Sequence, residues 1–280
     1  MEREPAWLVV PVYDNFDSIN NFINCLELQT YKKFCLIIVN HGKEQLDLKE
    51  KDIQLEIIKG NPRMWWTAAV NHGIRYILEN KRTSLQTPII IQNDDVTFNQ
   101  DYLYNLINSW RYREDVIMGS VCLDEDTGRI LRANLVLNKR KALFEDFYKG
   151  ESLSLITDKG ILASDLLTGR GTLIPVKVLK SAGLFREKRL PHYRADYELV
   201  LRAKKKGFQA YVSANAFVYT RIVNHHKHEQ NKLQYLYSYK SRINIKDLFF
   251  FSYSVFNIFY ATYFFIVNLK RIAKIVSRSE

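Results

Sequence analysis

Three consecutive polar residues, Asn93, Asp94 and Asp95, directly follow the short strand-like run 88–92. Two carboxylates in such a position can face a hard cation, because Mg²⁺ takes a few carboxylate oxygens and leaves its other positions to water and substrate phosphate. Neighbouring like charges are costly unless a metal ion or a basic group offsets them. The cluster therefore points to a metal–diphosphate site. Its alternative is a plain turn, since Asn and Asp are common turn formers.

A second acidic pair, Asp196 and Glu198, precedes Arg202 and the basic residues 204–206. Acids at the start of a helix and bases at its end are both favoured by the helix dipole. Taken alone, this pattern is typical of an ordinary amphipathic helix.

Two further groups have side chains suited to binding. Trp65 and Trp66 offer flat apolar faces against which a sugar or a base can pack, although packing in the core is a fair alternative. His225 and His226 could supply a metal ligand, while an exposed basic loop explains the same residues equally well.

Alternating apolar runs and helix-periodic segments must position these residues. Strands are predicted at 7–12, 34–39, 53–58, 88–92, 116–122, 168–175 and 209–213, and helices at about 19–26, 67–78, 101–110 and 196–206. Residues 126–128 are typical of a hairpin turn, and residues 138–163 form a weakly patterned, variable lobe. This alternation predicts an α/β fold with a mostly parallel central sheet, in which ligands bind beyond the carboxyl ends of the strands.

The composition excludes several classes of protein. With 280 residues, 47% of them hydrophobic and 25% charged, the chain can bury the core of one large domain or two small ones, which excludes a disordered ground state. The three cysteines, Cys25, Cys35 and Cys122, lack the spacing of a zinc or redox site, and their odd number argues against a disulfide scaffold. The first residues lack the pattern of a secretory signal, so we expect the bulk of the chain to be cytoplasmic.

The positive charge is concentrated near the C-terminus. The net charge is +11, and residues 225–280 alone carry nine Lys or Arg against three acids. The same stretch contains 248–267, a run of 20 residues without a charge but rich in Phe and Tyr. Aromatic residues between basic flanks favour a helix lying in the plane of an anionic leaflet. A membrane span, and a helix packed in a soluble core or a dimer interface, remain open as alternatives.

Taken in order, the motifs resemble those of family-2 glycosyltransferases, inverting nucleotide-sugar enzymes with a GT-A fold, from about residue 7 to residue 219. The resemblance rests on 11–13, 39–42, 60–61, 65–66, 71–73, 93–96, 168–172 and 196–199, together with Arg202 and Gly207. The paired tryptophans and the Asn-Asp-Asp form are similar to the branch that builds bacterial surface polysaccharides, the rhamnosyl- and galactofuranosyltransferases. Asn40 and Asn93 depart from the family pattern, which usually has Asp at both positions.

The resemblance implies roles for individual residues. It makes Asp196 the catalytic base, and it makes Asp95 a ligand of Mg²⁺ or Mn²⁺, with His225 or His226 as a candidate third metal ligand. The implied donor-binding residues are Pro11, Tyr13, Asn40, Asn61, Trp65, Trp66, Asn71, Asn93 and Asp94, and the implied acceptor-binding residues are Gly169, Arg170 and Glu198.

The resemblance also implies a function. The chain is expected to move a sugar from a UDP- or dTDP-linked donor to a lipid-linked or polymeric glycan acceptor. A catalytic GT-A domain is expected over 1–222, with a nucleotide-sugar half at about 1–122 and an acceptor half at about 123–222. Residues 223–280 are expected to associate with the inner face of the cell membrane.

Two alternatives accompany this reading. One is a catalytically silent, membrane-docked scaffold of the same fold. The other is a nucleic-acid-binding protein, which is disfavoured because the excess charge lies beside an apolar segment and the predicted strand ends carry acids and amides. Association of the chain into a homodimer also remains open.

Overall fold

A computed structural model of the chain describes residues 4–46, 48, 51–113, 115–221 and 232–277. In chain order its strands and helices are β1 (Ala6–Val12), α1 (Phe16–Glu27), β2 (Phe34–Asn40), β3 (Leu55–Lys59), α2 (Trp66–Asn80), β4 (Pro88–Ile91), α3 (Tyr102–Arg111), β5 (Val116–Asp124), β6 (Ile130–Arg132), β7 (Leu135–Asn138), β8 (Leu143–Asp146), β9 (Ile161–Ala163), β10 (Thr172–Pro175), α4 (Val176–Ala182), α5 (Ala195–Lys205), β11 (Gln209–Thr220), α6 (Lys232–Tyr237), α7 (Ile245–Val255) and α8 (Ile258–Ser277).

The strands form one large sheet in the order β3-β2-β1-β4-β10-β5-β11-β9, with β6 paired to β5. The pairs β1–β2, β1–β4, β2–β3 and β5–β11 are parallel, whereas β10 runs antiparallel between β4 and β5. The predicted α/β fold with a mostly parallel sheet is confirmed. Because β10 runs antiparallel, its first residue, Thr172, lies beside Ile91 at the end of β4.

Helices cover both faces of this sheet. Side chains alternate between the faces along each strand, so in β1 Leu8 and Val10 pack with α1 and α3, while Val9 packs with α2. The buried stripe of α1, Ile19, Phe22, Ile23 and Leu26, has the spacing of one helical face. Each strand is thus fixed from both sides, and its carboxyl end is held at one edge of the sheet.

Several predicted boundaries differ from the structure. Residues 168–171 form a turn, and the strand predicted at 168–175 begins only at Thr172. The last strand continues to Thr220, since its pairing with β5 resumes at Phe217 after an irregularity following Ser213. The variable lobe at 138–163 contains β8 and β9, and β8 pairs with β7 in a separate two-stranded sheet.

The uncharged run at 248–267 is divided between two helices. The first, α7, ends at Val255, and the Asn257 side chain accepts a hydrogen bond from the Tyr260 N–H at the start of α8. A charge-free stretch of the right length is thereby broken in its middle. Across the described ranges, which include all of 248–267, no helix combines the length and the apolar character that a membrane crossing requires.

The helices α7 and α8 pack against the β7–β8 hairpin. Phe251 and Phe264 share a buried cluster with Ala142 at the hairpin turn. The Ala142 carbonyl accepts hydrogen bonds from Asn268 Nδ2 at 2.9 Å and from Arg271 Nη1 at 2.8 Å. The C-terminal helices α7 and α8 therefore pack on the variable lobe. The predicted domain boundary at 222/223 lies outside the described residues.

Candidate active site

The turns that follow β4 and precede β10 and α5 bring several of the predicted residues together. The turn after β4 carries Asn93, Asp94 and Asp95, and the neighbouring turn before β10 carries Gly169 and Arg170. The first turn of α5 contributes Asp196, whose Oδ2 accepts the Gly169 N–H at 3.0 Å. Three segments that are distant in the sequence thus meet at one edge of the sheet.

The two aspartates after β4 differ in their surroundings. Burial, followed by the adjacent charge of Asp95, raises the pKa of Asp94 to about 7, although a hydrogen bond from the Asn15 side chain acts in the opposite direction. Asp95 is more open, with 39% of its side chain exposed, and its Oδ2 lies 3.2 Å from Arg170 Nη2. A positive charge brought to these carboxylates would relieve their mutual repulsion.

Arg170 lies within electrostatic range of both Asp95 and Asp196. One of its Nη atoms donates to Asp95, while its Nε is buried and has no hydrogen-bond partner among the described residues. A guanidinium between two carboxylates can also receive a phosphate oxygen, because its five N–H groups match oxyanion geometry. Arg170, which the resemblance makes an acceptor-binding residue, therefore provides positive charge beside Asp95 and Asp196.

Asp196 is held in a fixed orientation. Its Oδ1 accepts the Tyr197 N–H at 2.9 Å, while its Oδ2 accepts the Gly169 N–H. Burial raises the pKa of Asp196 to about 6, and these two backbone N–H groups and the charge of Arg170 limit the rise. A carboxylate with such a pKa is ionised near neutral pH and takes a proton more readily than an ordinary aspartate.

Glycine is required at both glycine positions of the turn before β10. A Cβ at Gly169 would lie 2.5 Å from the Trp66 ring, so only glycine allows the indole to approach the turn. Gly171 has a φ of +82°, and a Cβ there would collide with the hydroxyl groups of Tyr102 and Ser120. These contacts fix the path of the backbone that carries Arg170.

The paired tryptophans diverge. Trp66 donates from Nε1 to Asn93 Oδ1 at 2.9 Å and packs edge-on against Phe185. Trp65 lies against other rings, with centroid distances of 6.0 Å to His192 and 5.4 Å to Tyr239. Trp66 therefore belongs to the cluster around Asn93. Trp65 instead faces residues 238–244, which join α6 to α7 and which we call the C-terminal segment.

The predicted nucleotide residues lie beyond the ends of β1 and β2. Pro11 is buried within β1, while Tyr13 is exposed and its ring lies 5.3 Å from that of His41. The Asn40 amide is occupied locally, since Oδ1 accepts the Gly42 N–H and Nδ2 donates to a backbone carbonyl. Asn61 likewise closes a turn by accepting the N–H of residue 63, although it is exposed, as is Tyr13.

Asn71, which the resemblance makes a donor-binding residue, has its side chain engaged within the fold. Its side chain is buried, its Nδ2 donates to the Phe185 carbonyl and to Glu187, and its Oδ1 accepts the Phe185 N–H. Asn71 thereby ties α2 to the segment after α4, beside a cavity of about 520 Å³ that Arg75 and Arg202 also line.

Glu198, which the resemblance makes an acceptor-binding residue, is likewise engaged within the fold. Its side chain is fully buried, and its two carboxylate oxygens accept from Arg202 Nε and Nη2, both at 2.9 Å. Two residues along a helix are separated by about 200°, so Glu198 points away from the face that carries Asp196. Its role is to hold Arg202 in place.

The two histidines predicted as a third metal ligand, His225 and His226, lie outside the described residues. Within the part of the chain that the structure covers, no group of three or more His, Cys, Asp or Glu side chains is arranged to hold a metal ion by itself. Sequence reasoning missed Asn15 and Tyr239. Asn15 could have been found from its position as the residue before α1, whereas no sequence signal connects Tyr239 with Trp65.

Known structures share this fold. GalNAc-T7, solved with UDP, GalNAc and Mn²⁺, matches with a TM-score of 0.59 and 11% identity over 78% of this chain and 43% of that one. A mannosyltransferase from Pyrobaculum calidifontis, PcManGT, in complex with GDP-Man and Mn²⁺, matches with a TM-score of 0.55 and 14% identity over 91% of this chain and 64% of that one. S. aureus TarS 1–349 matches with a TM-score of 0.58 and 11% identity over 95% of this chain and 71% of that one.

At these identities the likeness establishes the GT-A fold, and the chain spans less than two thirds of the first two proteins. No curated protein sequence matches the chain. The model of the family described as "Glycosyl transferase family 2" matches residues 7–162, more than half of the chain. The protein is therefore a member of glycosyl transferase family 2.

Proposed function

We propose that the protein transfers a sugar, with inversion, from a UDP- or dTDP-linked donor to a hydroxyl group of a lipid-linked or growing bacterial surface glycan. The observation that carries this proposal is the placement of Asp196. This aspartate has a pKa near 6, is held by two backbone N–H groups, and lies beside the Asp95–Arg170 pair. An inverting transfer needs a base for the acceptor hydroxyl group close to positive charge for the leaving diphosphate.

In the proposed reaction the acceptor oxygen attacks the anomeric carbon on the face opposite the diphosphate. The bond between that carbon and the diphosphate oxygen breaks as the new glycosidic bond forms, and the acceptor proton passes to the Asp196 carboxylate. Because the Gly169 and Tyr197 N–H groups fix this carboxylate, no reorientation is needed during transfer. Arg170 stabilises the negative charge on the departing nucleoside diphosphate.

The chemistry of the site fits a divalent cation. Asp95 is partly exposed, and its charge raises the pKa of the buried Asp94, so a cation there would offset two neighbouring carboxylates. Asp95 would hold Mg²⁺ or Mn²⁺, with diphosphate oxygens and water as the other ligands, as Mg²⁺ commonly accepts. When bound, the ion supplies charge neutralisation for the leaving diphosphate. Mn²⁺ in the GalNAc-T7 and PcManGT structures supports this choice.

The decisive experiment measures nucleoside diphosphate release from a panel of nucleotide sugars, with and without Mn²⁺, in the presence of a detergent-solubilised lipid-linked glycan extract. Asp196→Asn is expected to lower kcat by about 10²- to 10⁴-fold, the usual contribution of a general base, while the donor Kd stays within a few-fold. Asp158→Asn, at an exposed acid in a short 3₁₀ turn, is the matched control. Full activity of Asp196→Asn would remove the proposed base, and silence of the native protein across the panel would favour the scaffold alternative.

The surface of α7 and α8 supports peripheral membrane binding. Phe249, Phe259, Tyr263 and Ile266 are exposed apolar side chains, and the exposed cations Lys246, Lys270 and Lys274 lie on the same two helices. Exposed aromatics beside cations suit the headgroup region of an anionic leaflet, which would place the enzyme at the inner face of the cell membrane, next to a lipid-linked acceptor.

Cosedimentation with vesicles tests this placement. The native protein is expected to bind vesicles that contain anionic phosphatidylglycerol and to bind pure phosphatidylcholine vesicles far less. Phe259→Ser should weaken this binding, whereas Tyr112→Ser, at a residue 81% exposed at the end of α3, should not. Equal binding to both kinds of vesicle, or to neither, would contradict the electrostatic part of the proposal.

A further inference from the structure

A second group of aromatic side chains lies directly before α5. The Trp65 ring contacts those of His192 and Tyr239, and the His192 ring packs edge-on against Tyr193 at a centroid distance of 4.5 Å. We call these four residues the aromatic cluster. None of them carries a role in the proton transfer or in holding the diphosphate described above.

The backbone connects this cluster to the proposed base. His192 and Tyr193 precede Asp196 by four and three residues. The preceding segment is joined to α2, because the Thr67 N–H donates to the Pro191 carbonyl at 3.0 Å and the Thr67 hydroxyl donates to the Leu190 carbonyl at 2.7 Å. On the other side of the tryptophan pair, Trp66 touches Gly169, the residue whose N–H binds Asp196. Trp65 of the cluster is therefore the sequence neighbour of Trp66, which approaches the residue that binds Asp196.

The C-terminal segment completes the cluster. It supplies Tyr239, and its Arg242 guanidinium lies over the Tyr193 ring at 5.9 Å. The Arg242 carbonyl accepts a hydrogen bond from Arg194 Nη2 at 2.8 Å. Arg194 has a φ of +65° and immediately precedes α5. The segment that leads into α7 is thus attached to the turn that presents Asp196.

Apolar ring surface in this cluster stays open to solvent. Trp65, His192 and Tyr193 are only half-buried, and Tyr239 is 40% exposed. Rings that served only to pack the C-terminal segment would gain most by full burial, because burying apolar area is their main contribution to stability. Tyr, Trp and His rings combine an apolar face with a polar tip, which matches a sugar with its C–H faces and hydroxyl groups.

We propose that the aromatic cluster binds the saccharide of the acceptor, with the rings of Trp65 and Tyr239 packing against its C–H face. This inference rests on the proposed function and names the binding site for its acceptor. It moves Trp65 from the donor to the acceptor. The site is incomplete without the C-terminal segment, so the same segment that leads into the proposed membrane-binding helices also binds the acceptor sugar.

The test uses the full chain and does not depend on catalysis. Binding of the methyl glycosides of glucose, galactose, rhamnose and N-acetylglucosamine is followed by saturation-transfer NMR without any nucleotide sugar. At least one glycoside is expected to bind the native protein. Tyr239→Ala and Trp65→Leu should each weaken that binding about tenfold, the order of effect expected for loss of one aromatic face. Tyr239→Phe should retain it, and Tyr112→Ala should match the native protein.

Absence of binding to every glycoside, or equal binding by Tyr239→Ala and the native protein, would overturn the proposal. Once a donor is known, Tyr239→Ala should raise the acceptor KM about tenfold with a smaller change in kcat, a split that a purely structural role would not produce. Failure of the proposed function has a different signature. In that case no nucleoside diphosphate is released, whatever the glycosides do.

Discussion

Removal of the Glu198 carboxylate should destabilise the fold strongly. Glu198 is fully buried, both of its oxygens bind Arg202, and a second cation, Arg186, lies 3.7 Å away. Arg202 also donates to the carbonyls of Ala182, Gly183 and Leu184, so it is held in place when its counter-charge is lost. Glu198→Ala would leave a guanidinium without a counter-charge in the protein interior.

The expected loss follows from the burial of the pair. Breaking a buried ion pair by removing one partner costs about 3–5 kcal/mol. For a chain of this size, one kcal/mol shifts Tm by about 2–4 °C, so the fall should be about 6–20 °C. The exposed pair between Asp115 and Lys177 is the matched control, and Asp115→Ala should cost no more than about 1 kcal/mol.

Urea denaturation at pH 7 measures both variants against the native protein. Glu198→Gln, which keeps the side-chain shape and one acceptor oxygen, should give an intermediate loss and provides a folded protein if Glu198→Ala does not fold. A Glu198→Ala protein within about 1 kcal/mol of the native one would refute the assignment of Glu198 as a structural residue. A raised acceptor KM in Glu198→Gln, without loss of stability, would restore it to the acceptor site.

Three further predictions concern the site itself. Because the Asp196 pKa is about 6 and the ionised form is the base, kcat/KM should fall about tenfold per pH unit below about pH 6, and a rate unchanged at pH 5 would contradict this. The raised pKa means that ionisation of Asp196 lowers the stability of the native protein as pH rises from the ordinary 3.8 to about 6. Over this range the native protein should lose up to about 3 kcal/mol relative to Asp196→Asn in a melting series, and parallel pH dependence of the two proteins would contradict this. Gly171→Ala should destabilise the fold by about 1–3 kcal/mol, because a Cβ would meet Tyr102 and Ser120 at a positive φ, and an unchanged melting curve would contradict this.

The sheet, and the edge of it at which Asp94 and Asp95 lie, could be predicted from the sequence. Each buried strand is a continuous apolar run, and the parallel arrangement places the residues after the runs at one edge. The sequence placed Asp94 and Asp95 at this edge, but only the fold shows that Arg170 lies beside Asp95. The sequence predicts a strand from residue 168 because residues 168–171 directly precede the strand residues Thr172–Pro175. In the structure residues 168–171 form a turn, and the strand begins only at Thr172.

Two predicted site residues, Asn71 and Glu198, have side chains that are engaged within the fold, which spacing alone does not reveal. Asn71 and Glu198 both lie on helices beside motif residues, but a helical side chain faces only one direction. A sequence signal was present for Glu198, since Arg202 follows it by four residues and such pairs share a helix face. For Asn71 no such signal exists, because its partners Phe185 and Glu187 lie more than a hundred residues away.

The C-terminal run required a different kind of information. The number of residues without charge at 248–267 suits a membrane span, but a span also requires one uninterrupted helix. Asn257 caps the start of α8, a role for which Asn is favoured, and the break at this point leaves α7 with 11 residues. The aromatic residues of the run divide between an inner face, where Phe251 and Phe264 pack, and an outer one that carries Phe249 and Phe259.

The two opposite faces of α5 carry the proposed base and a structural ion pair. On one face, burial of Asp196 raises its pKa, so the ionised base is a cost to the folded state. On the other face, Glu198 and Arg202 fasten the helix to the carbonyls that follow α4. A helix held so firmly on its structural face can keep an unfavourable carboxylate in place on the other. The ion pair of Glu198 and Arg202 is therefore expected to offset part of the cost of holding Asp196, the proposed base, in its ionised form.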